Sequence, residues 1–332
     1  MPTIPLYTPA VTPLGSHGVT APGGYEWWRF DAEDAASDLR LLADFFDGHP
    51  FHPGYLRAYA HYRRWPTRIA PPLPRDYRCV RFALYRAGKI VARFQSRHDP
   101  AEFSASPAAT EISIGSNHIL AQPDGSLHVS LRGVTRAMQQ VSAQLQFRPR
   151  PNIPVSAEQR IGHQHWVVAQ PLCDVEGTVN VFSPSAPATP EVTMFQGVGG
   201  HDHSFGTRPF GDDAARWMFG RVLMADRAVP FHIAWPSDEA AQPEVRLIDT
   251  TSAVETPHIE CIGWRSTPRL LRYPLHVKFG DRIQLRNPQL IESATVSASV
   301  VYDATVDTST GPARCELVSP QRLRWKWRST VS

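Results

Sequence analysis

Residues 199–213, GGHDHSFGTRPFGDD, place Asp202 between His201 and His203 and surround the three with glycines. A carboxyl group can protonate an alkene if burial raises its pKa well above the usual value of about 3.9. On a strand, successive side chains point to opposite faces, so His201 and His203 share one face and Asp202 takes the other. We therefore expect Asp202 to face an apolar pocket as the acid and His201 and His203 to support it as catalytic residues; a purely structural turn is the alternative.

Two histidine pairs at H-x-H spacing raise the question of a metal ion. His201 and His203 form one pair, and His163 and His165 in GHQH form the other. A zinc site needs at least three protein ligands, so the two segments would have to be neighbours in a sheet. We expect neither a metal nor a cofactor.

Acid catalysis on an alkene passes through a carbocation, which aromatic ring faces stabilise by about 0.5–2 kcal/mol per good contact. The aromatic residues in or near the best-marked segments are candidates for substrate binding, and ordinary packing is their alternative: Trp27, Trp28, Trp166, Phe205, Trp217 and Phe219. Trp27 and Trp28 are adjacent on an expected strand, so they must face opposite ways. Glu26 beside them is expected to pair with an arginine such as Arg221.

The chain contains few motifs of other common enzyme or binding chemistries. There is no G-x-S-x-G motif, and GVGG at 197–200 lacks the Lys-Ser/Thr and the strand–helix context of a phosphate loop. The 4 cysteines form no C-x-x-C pair. The formal net charge is +3 and the basic residues are scattered, which disfavours a nucleic-acid partner.

The sequence also bears on location. The N-terminus lacks the basic start and apolar run of a signal peptide, and no stretch approaches the roughly 20 apolar residues of a membrane span. We expect a cytoplasmic protein. The basic-aromatic segment RLRWKWRS at 322–329 is compatible with peripheral contact to an anionic membrane, although an alternating strand fits it better. Nothing in the chain indicates an oligomeric state.

The elements that must position these residues are short. The 31 prolines and 21 glycines leave room for few long helices, and the segments between them are rich in β-formers. Residues 77–96, 119–131 and 216–237 are typical of hairpins, and 135–147 favours a strand. One short helix is expected near 53–65, and the proline-rich segment 182–192 is expected to be a surface loop.

Many short strands with regularly spaced turns indicate an all-β sandwich or barrel. The chain has 332 residues, which is long for one small barrel. Two antiparallel β domains are therefore expected, with little helix.

The two best-marked segments carry a family resemblance. GGYEWWRFDAED near the N-terminus resembles the YEWWYFD opening of the carotenoid 1,2-hydratase family, which includes hydroxyneurosporene synthases and AttH-like tandem lipocalin proteins. GGHDHSFG resembles the second signature of that family, YHDHNWG, which an aromatic-Gly-Arg follows; here that continuation is Phe219-Gly220-Arg221.

The resemblance implies two lipocalin-like antiparallel barrels packed side by side, the first over 1–207 and the second over 208–332. It also implies an apolar ligand, an isoprenoid or polyene, held in a barrel or between the domains. The family's upstream functional tryptophan has Trp166 as its nearest match here.

This sequence departs from the family pattern at two places. Gly200 replaces the tyrosine before His-Asp-His, and Ser204-Phe205 replaces Asn-Trp. The tyrosine is associated with the acid chemistry, so its loss shifts weight from hydration towards acid-initiated cyclisation or isomerisation. A pericyclase of a natural-product pathway and a non-catalytic isoprenoid-binding protein are the other hypotheses.

Overall fold

The computed structural model describes residues 15–321 except 108, 152, 154–157, 239–240 and 251–253. The basic-aromatic segment 322–329, for which a strand was expected, lies outside the described residues. Among the described residues, no helix is both long and apolar enough to cross a membrane. The structure is all-β, as predicted, with one α-helix, α1 (Pro53–Arg64), in the described part of the chain.

A first antiparallel sheet is formed by residues up to Gly206. Its strands are β1 (Tyr25–Asp34), β2 (Leu39–Asp47), β3 (Cys79–Arg86), β4 (Lys89–Arg97), β5 (Phe103–Ala105), β6 (Glu111–Ile114), β7 (Asn117–Ala121), β8 (Leu127–Val134), β9 (Gln140–Pro149), β10 (Gln159–Ile161), β11 (Gln164–Ser183) and β12 (Ala186–Gly206). The order is β4-β3-β2-β1-β12-β11-β9-β8-β7-β6-β5, and β10 pairs with β11. β1 and β12 therefore lie side by side near its middle.

A second antiparallel sheet follows from Arg216. Its strands are β13 (Arg216–Leu223), β14 (Ala228–Trp235), β15 (Glu244–Ile248), β16 (Val254–Glu255), β17 (Ile259–Ser266), β18 (Arg272–Phe279), β19 (Ile283–Ser293), β20 (Ser297–Val306) and β21 (Ser309–Val318). The order is β16-β15-β14-β13-β21-β20-β19-β18-β17. Strands β13, β14 and β21 are among those that contact the first sheet.

Each sheet curls around its own apolar core. In the first, β4 approaches β8 so closely that a Cβ on Gly133 would overlap the ring of Phe94, so only glycine fits there. Trp28, Phe30 and Phe147 are fully buried inside this curl. Large side chains fill the interior, which differs from the expected ligand cavity within a barrel.

Several local predictions match the structure. The helix near 53–65 is α1, the hairpins at 77–96, 119–131 and 216–237 are β3–β4, β7–β8 and β13–β14, and 140–149 is the strand β9. The prediction of a loop at 182–192 is wrong, because β11 extends to Ser183 and β12 begins at Ala186. The two sheets separate between Gly206 and Arg216, and a domain boundary at 207/208 remains our proposal.

Candidate active site between the two sheets

The register of β1 on β12 sets the site. Arg29 lies opposite Asp202, Phe30 opposite His201 and Trp28 opposite His203. Since directly opposed residues in an antiparallel pair point to the same face, the two strands share one inward face and one outward face. The outward face meets the second sheet. We call this layer of contact between the two sheets the junction.

His201 and His203 both lie on the inward face and are fully buried. His201 stacks on Phe30 with ring centroids 4.1 Å apart, and its Nδ1 donates to the carbonyl oxygen of Arg29 at 3.0 Å. Burial lowers the pKa of His201 to about 3, so its ring is neutral at pH 7. The two histidines therefore lie on the other side of the sheet from Asp202.

Glu26 pairs with a histidine rather than with an arginine. Its Oε1 lies 3.1 Å from Nε2 of His203, and it also accepts the backbone N–H of His17 at 2.6 Å. Its Oε2 accepts the hydroxyl of Ser16 at 3.0 Å. The prediction of a Glu26–Arg221 pair is wrong, because Arg221 enters the junction whereas Glu26 lies on the inward face near the start of β1. His17, Glu26 and His203 come close enough to be considered as metal ligands, but hydrogen bonds within the cluster already use both carboxylate oxygens.

Asp202 points into the junction, where it meets Arg221 of β13. Nη2 of Arg221 lies 2.5 Å from Oδ1 of Asp202, and Nε of Arg221 lies 3.7 Å from Oδ1 of Asp31. Burial raises the pKa of Asp202 and the nearby Asp31 raises it further, while Arg221 and Arg29 oppose the shift. Two carboxylates thus compete for one guanidinium, and the net result is a pKa of Asp202 above its ordinary value.

Gly200 explains how Arg221 reaches this position. A Cβ on residue 200 would overlap Nη1 of Arg221 and would crowd the carbonyl oxygen of Gln170. A tyrosine at this position, as in the family pattern, could not coexist with this placement of the guanidinium. The glycine at 200 and the ion pair between Arg221 and Asp202 therefore depend on each other.

A second set of ion pairs joins the two sheets beside Asp202. Glu316 of β21 accepts from Arg29 at 2.7 Å and from Arg81 at 3.0 Å. Arg81 also binds Asp44 at 2.6 Å, and Asp44 accepts the indole N–H of Trp27 at 2.8 Å. Burial alone would raise the pKa of Glu316, but Arg81 and Arg29 outweigh it and hold that pKa at about 2. Glu316 is therefore ionised and fixed.

Aromatic rings complete the walls of the junction. Trp27 meets Phe219 edge-on with centroids 5.3 Å apart, and the guanidinium of Arg29 lies 5.5 Å from the centroid of each ring. The cavity beside Asp202 has a volume of only about 10 Å³, room for about one water molecule. Asp202 does not face the expected apolar pocket: its surroundings are charged and tightly packed, because Arg221 fills the space beside Gly200.

His232 is a site residue that sequence reasoning missed. It lies on β14, lines the cavity beside Asp202, and stacks on Trp166 with centroids 3.9 Å apart. Burial and the nearby Arg29 lower its pKa to about 3, so it is a neutral imidazole. A signal was present in the strand AVPFHIAW, where His232 is the single ionisable residue among apolar ones. Arg29 and Asp31 were also available, since they share a face with Trp27 at period two.

The other aromatic candidates lie elsewhere. Trp28 is inside the first sheet and stacks on His203, with centroids 5.0 Å apart. Phe205 stacks between His17 at 3.8 Å and His165 at 4.7 Å. Trp217 is buried beside the junction in the cluster that contains Trp27 and Phe219. The structure thus brings Trp27, Phe219, Trp166 and Trp217 towards the junction and leaves out Trp28 and Phe205.

The two histidine pairs do not combine. His163 Nδ1 lies 2.8 Å from Asp213, and His165 Nδ1 lies 2.5 Å from Glu158, a different carboxylate. His201 and His203 are turned into the first sheet. The four rings therefore do not converge on one point.

Comparison with known proteins agrees with this architecture. The crystal structure of an AttH protein of Nitrosomonas europaea superposes with a TM-score of 0.64 at 16% identity, covering 96% of this chain and 99% of that one. Kievitone hydratase from Nectria haematococca superposes with a TM-score of 0.51 at 10% identity, covering 92% and 95%. No known family profile matches the chain. At these identities the likeness shows the fold, which is that of a lipocalin-like protein with two curled β-sheets.

A curated protein of Chlorobaculum tepidum gives the relationship in sequence. Named hydroxyneurosporene dehydrogenase, it is 29% identical over 243 residues, which are 70% of this chain and 62% of that protein. The chain thus spans less than two thirds of the length of this relative. The resemblance that the two motifs predicted, to an AttH-like carotenoid hydratase family, is confirmed.

Proposed function

We propose that this protein is an enzyme that acts on an apolar isoprenoid or polyene, with Asp202 as the acid that starts the reaction. The observation that carries the proposal is the burial of the Asp202 carboxyl in a junction walled by Trp27 and Phe219, and this burial raises the pKa of Asp202 in spite of its contact with Arg221. The similarity to a protein named for a carotenoid supports the substrate class.

The proposed step moves one proton. The carboxyl of Asp202 gives its proton to one carbon of a C=C bond, the π electrons form the new C–H bond, and the other carbon becomes a carbocation. Arg221 then pairs with the carboxylate that remains, so it lowers the free energy of the ionised acid. The ion pair of 2.5 Å corresponds to the state after transfer. The cation accepts water, closes on a second alkene or loses a proton.

The cation needs a partner in a site without bulk water. The ring faces of Trp27 and Phe219 already hold a cation, since the guanidinium of Arg29 lies 5.5 Å from both centroids. His232 beside them is a neutral imidazole, so it can accept the proton that the cation or an attacking water loses. These groups supply acid, cation stabilisation and base within one layer.

A polyene does not fit the junction as it stands, because the cavity beside Asp202 holds about 10 Å³. Substrate entry requires the side chains between the two sheets to separate, and Arg221 is the group that fills the space. The same packing favours a second function, in which Asp202 and Arg221 only join the sheets and the protein binds an isoprenoid without converting it.

The variant Asp202→Asn separates these functions. It keeps the shape of the side chain and removes the acidic proton, so product formation should fall by roughly 10²–10⁴-fold. We would incubate the protein with lycopene, squalene and a linear diterpene in detergent and detect products by mass spectrometry. A gain of one water indicates hydration, and an unchanged mass at a new retention time indicates cyclisation or isomerisation.

Asp47→Asn is the matched control. Asp47 is also a buried carboxylate with an arginine partner, Arg78 at 2.9 Å, but it does not line the cavity beside Asp202. If Asp202→Asn forms product as fast as Asp47→Asn does, Asp202 is not the acid. Tight binding of a polyene with no conversion by the native protein would instead support the binding function.

A further inference from the structure

Positive charge is concentrated in the stretch that contains α1. From Gly48 to Arg75 the chain has no acidic residue, and it carries five arginines there: Arg57, Arg63, Arg64, Arg68 and Arg75. All five are exposed. The formal net charge of the whole chain is +3, so this stretch alone carries more positive charge than the net charge of the entire protein. One of the five, Arg63, forms an ion pair with Asp212, with its Nη1 3.1 Å from Oδ1 of the carboxylate.

Buried tyrosines fix the orientation of α1 and so determine which of its faces carries the exposed arginines. Tyr55 and Tyr59 are the buried residues of α1, and the hydroxyl of Tyr55 donates to the carbonyl oxygen of Gly24 at 2.6 Å. His52 caps the helix by accepting the backbone N–H of Tyr55 at 3.2 Å. The helix is thus anchored to the start of β1 by one face, and Arg57 and Arg64 lie on exposed positions of the other.

An exposed tryptophan lies among these arginines. Trp65 follows the helix directly and is 45% exposed. The guanidiniums of Arg64 and Arg68 lie 5.3 Å and 5.6 Å from the centroid of its ring. Tryptophan combines a large apolar ring with one N–H donor, and for this reason it concentrates at the interface between lipid and water.

Next to Trp65 the surface opens into an apolar groove of about 280 Å³. Leu56, Ala60, Pro209 and Pro320 form its walls, with Arg57 and Arg64 among the lining residues. A groove of this composition suits an acyl chain whose anionic headgroup contacts the arginines. From Gln321 the sequence continues as RLRWKWRSTVS, which adds four basic residues, two tryptophans and no acid.

From this arrangement we propose that the surface made by α1, Trp65 and the apolar groove docks onto an anionic phospholipid membrane. Like charge disfavours occupation of the groove by the chain's own basic C-terminal sequence or by the same surface of a second copy. A nucleic acid would use the arginines but not the apolar groove. Docking goes beyond the proposed reaction: it would bring the protein to the phase in which an apolar substrate dissolves.

The test is flotation of the full chain with vesicles. Phosphatidylcholine vesicles are compared with vesicles of phosphatidylcholine and phosphatidylglycerol at 7:3, at low and at high salt. We expect binding to the mixed vesicles alone and its loss at high salt, because exposed charges are screened. Each arginine near an anionic surface is worth about fivefold in binding, so Arg64→Gln/Arg68→Gln should bind roughly 25-fold more weakly. Trp65→Ala should weaken binding even at unchanged charge.

Arg132→Gln/Arg136→Gln is the matched control, since it removes two exposed arginines that do not line the apolar groove. If both double variants lose binding equally, only net charge matters and the proposal is wrong. Equal binding to both kinds of vesicle, or binding to single-stranded DNA without binding to vesicles, also overturns it. The assay contains no polyene, so its outcome is independent of whether Asp202 is an acid.

Discussion

The two faces of β1 belong to different kinds of interior. On the inward face, Trp28 and Phe30 pack with other apolar side chains and fill the first sheet. On the outward face, Arg29 and Asp31 enter a layer in which nearly every group is charged or aromatic, although both are also buried. Residues one position apart on a strand thus lie in an apolar core and in a charged junction.

The charged junction contains groups that can transfer a proton. An apolar core gains free energy from area removed from water, at about 25 cal/mol per Å², and offers no group that can transfer a proton. A buried charged layer gives little net stability, because desolvation consumes most of the attraction between its ions. It does shift the pKa values of its members in opposite directions, raising that of Asp202 and lowering that of Glu316 to about 2.

The largest effect is expected from removing the cation of the junction. Arg221→Met leaves Asp202 and Asp31 buried without their common partner, and loss of one member of a buried ion pair costs about 3–5 kcal/mol. The free energy of unfolding, measured with urea at pH 7, should fall by that amount.

The exposed Arg57→Met serves as the control for the Arg221 variant, since surface changes are usually within about 0.5 kcal/mol. Part of the loss in Arg221→Met should return as the pH is lowered and Asp202, whose pKa is already raised by burial, becomes protonated. A cost below about 1 kcal/mol would show that Arg221 does not hold the junction together.

A second effect concerns pH. In the unfolded chain His232 takes up a proton near pH 6.5, whereas in the folded chain it does so only near pH 3. Between these values the unfolded state binds more protons, so this histidine lowers the stability by about 1.4 kcal/mol for each unit of falling pH. His232→Phe keeps a ring against Trp166 and should flatten the stability profile between pH 6.5 and pH 4. His128→Phe, at an exposed position, should leave the slope unchanged; an unaltered slope in His232→Phe would mean that His232 is not buried as a neutral ring.

The smallest effect is expected in the apolar core. Ile119 is fully buried in the first sheet, and Ile119→Val removes one methylene there, which typically costs about 0.5–1.5 kcal/mol. Because no charge is involved, the cost should be the same at low and high salt and at pH 5 and pH 7, as judged from urea unfolding. A cost that changes with salt would show that the core around Ile119 is not free of electrostatic contributions, contrary to the distinction between the two interiors.

Much of the local structure was predictable because it depends on neighbouring residues. The alternation in YEWWRFD and the turn residues at 86–89 and 123–125 define strands and hairpins without long-range information. The loop predicted at 182–192 was wrong, since its prolines and serines lie at the tip of a long hairpin whose pairing overrides local propensity. The predicted partner of Glu26 was also wrong. Glu26 binds His203, and the pairing of β1 with β12 brings together these two residues, which are 177 positions apart in the sequence.

Three features follow from the amino-acid sequence without any tertiary contact: the chain is all-β, His201 and His203 share a face of their strand, and Trp27 and Trp28 point opposite ways. These follow from a side-chain period of two, a property of the local backbone. The residues that each face contacts depend instead on the packing of the two sheets: Arg221 comes from the second sheet to fill the space beside Gly200, and Glu316 of β21 binds Arg29 and Arg81. Burial and the geometry of opposite charges depend on contacts between distant segments, and these set the pKa of Asp202.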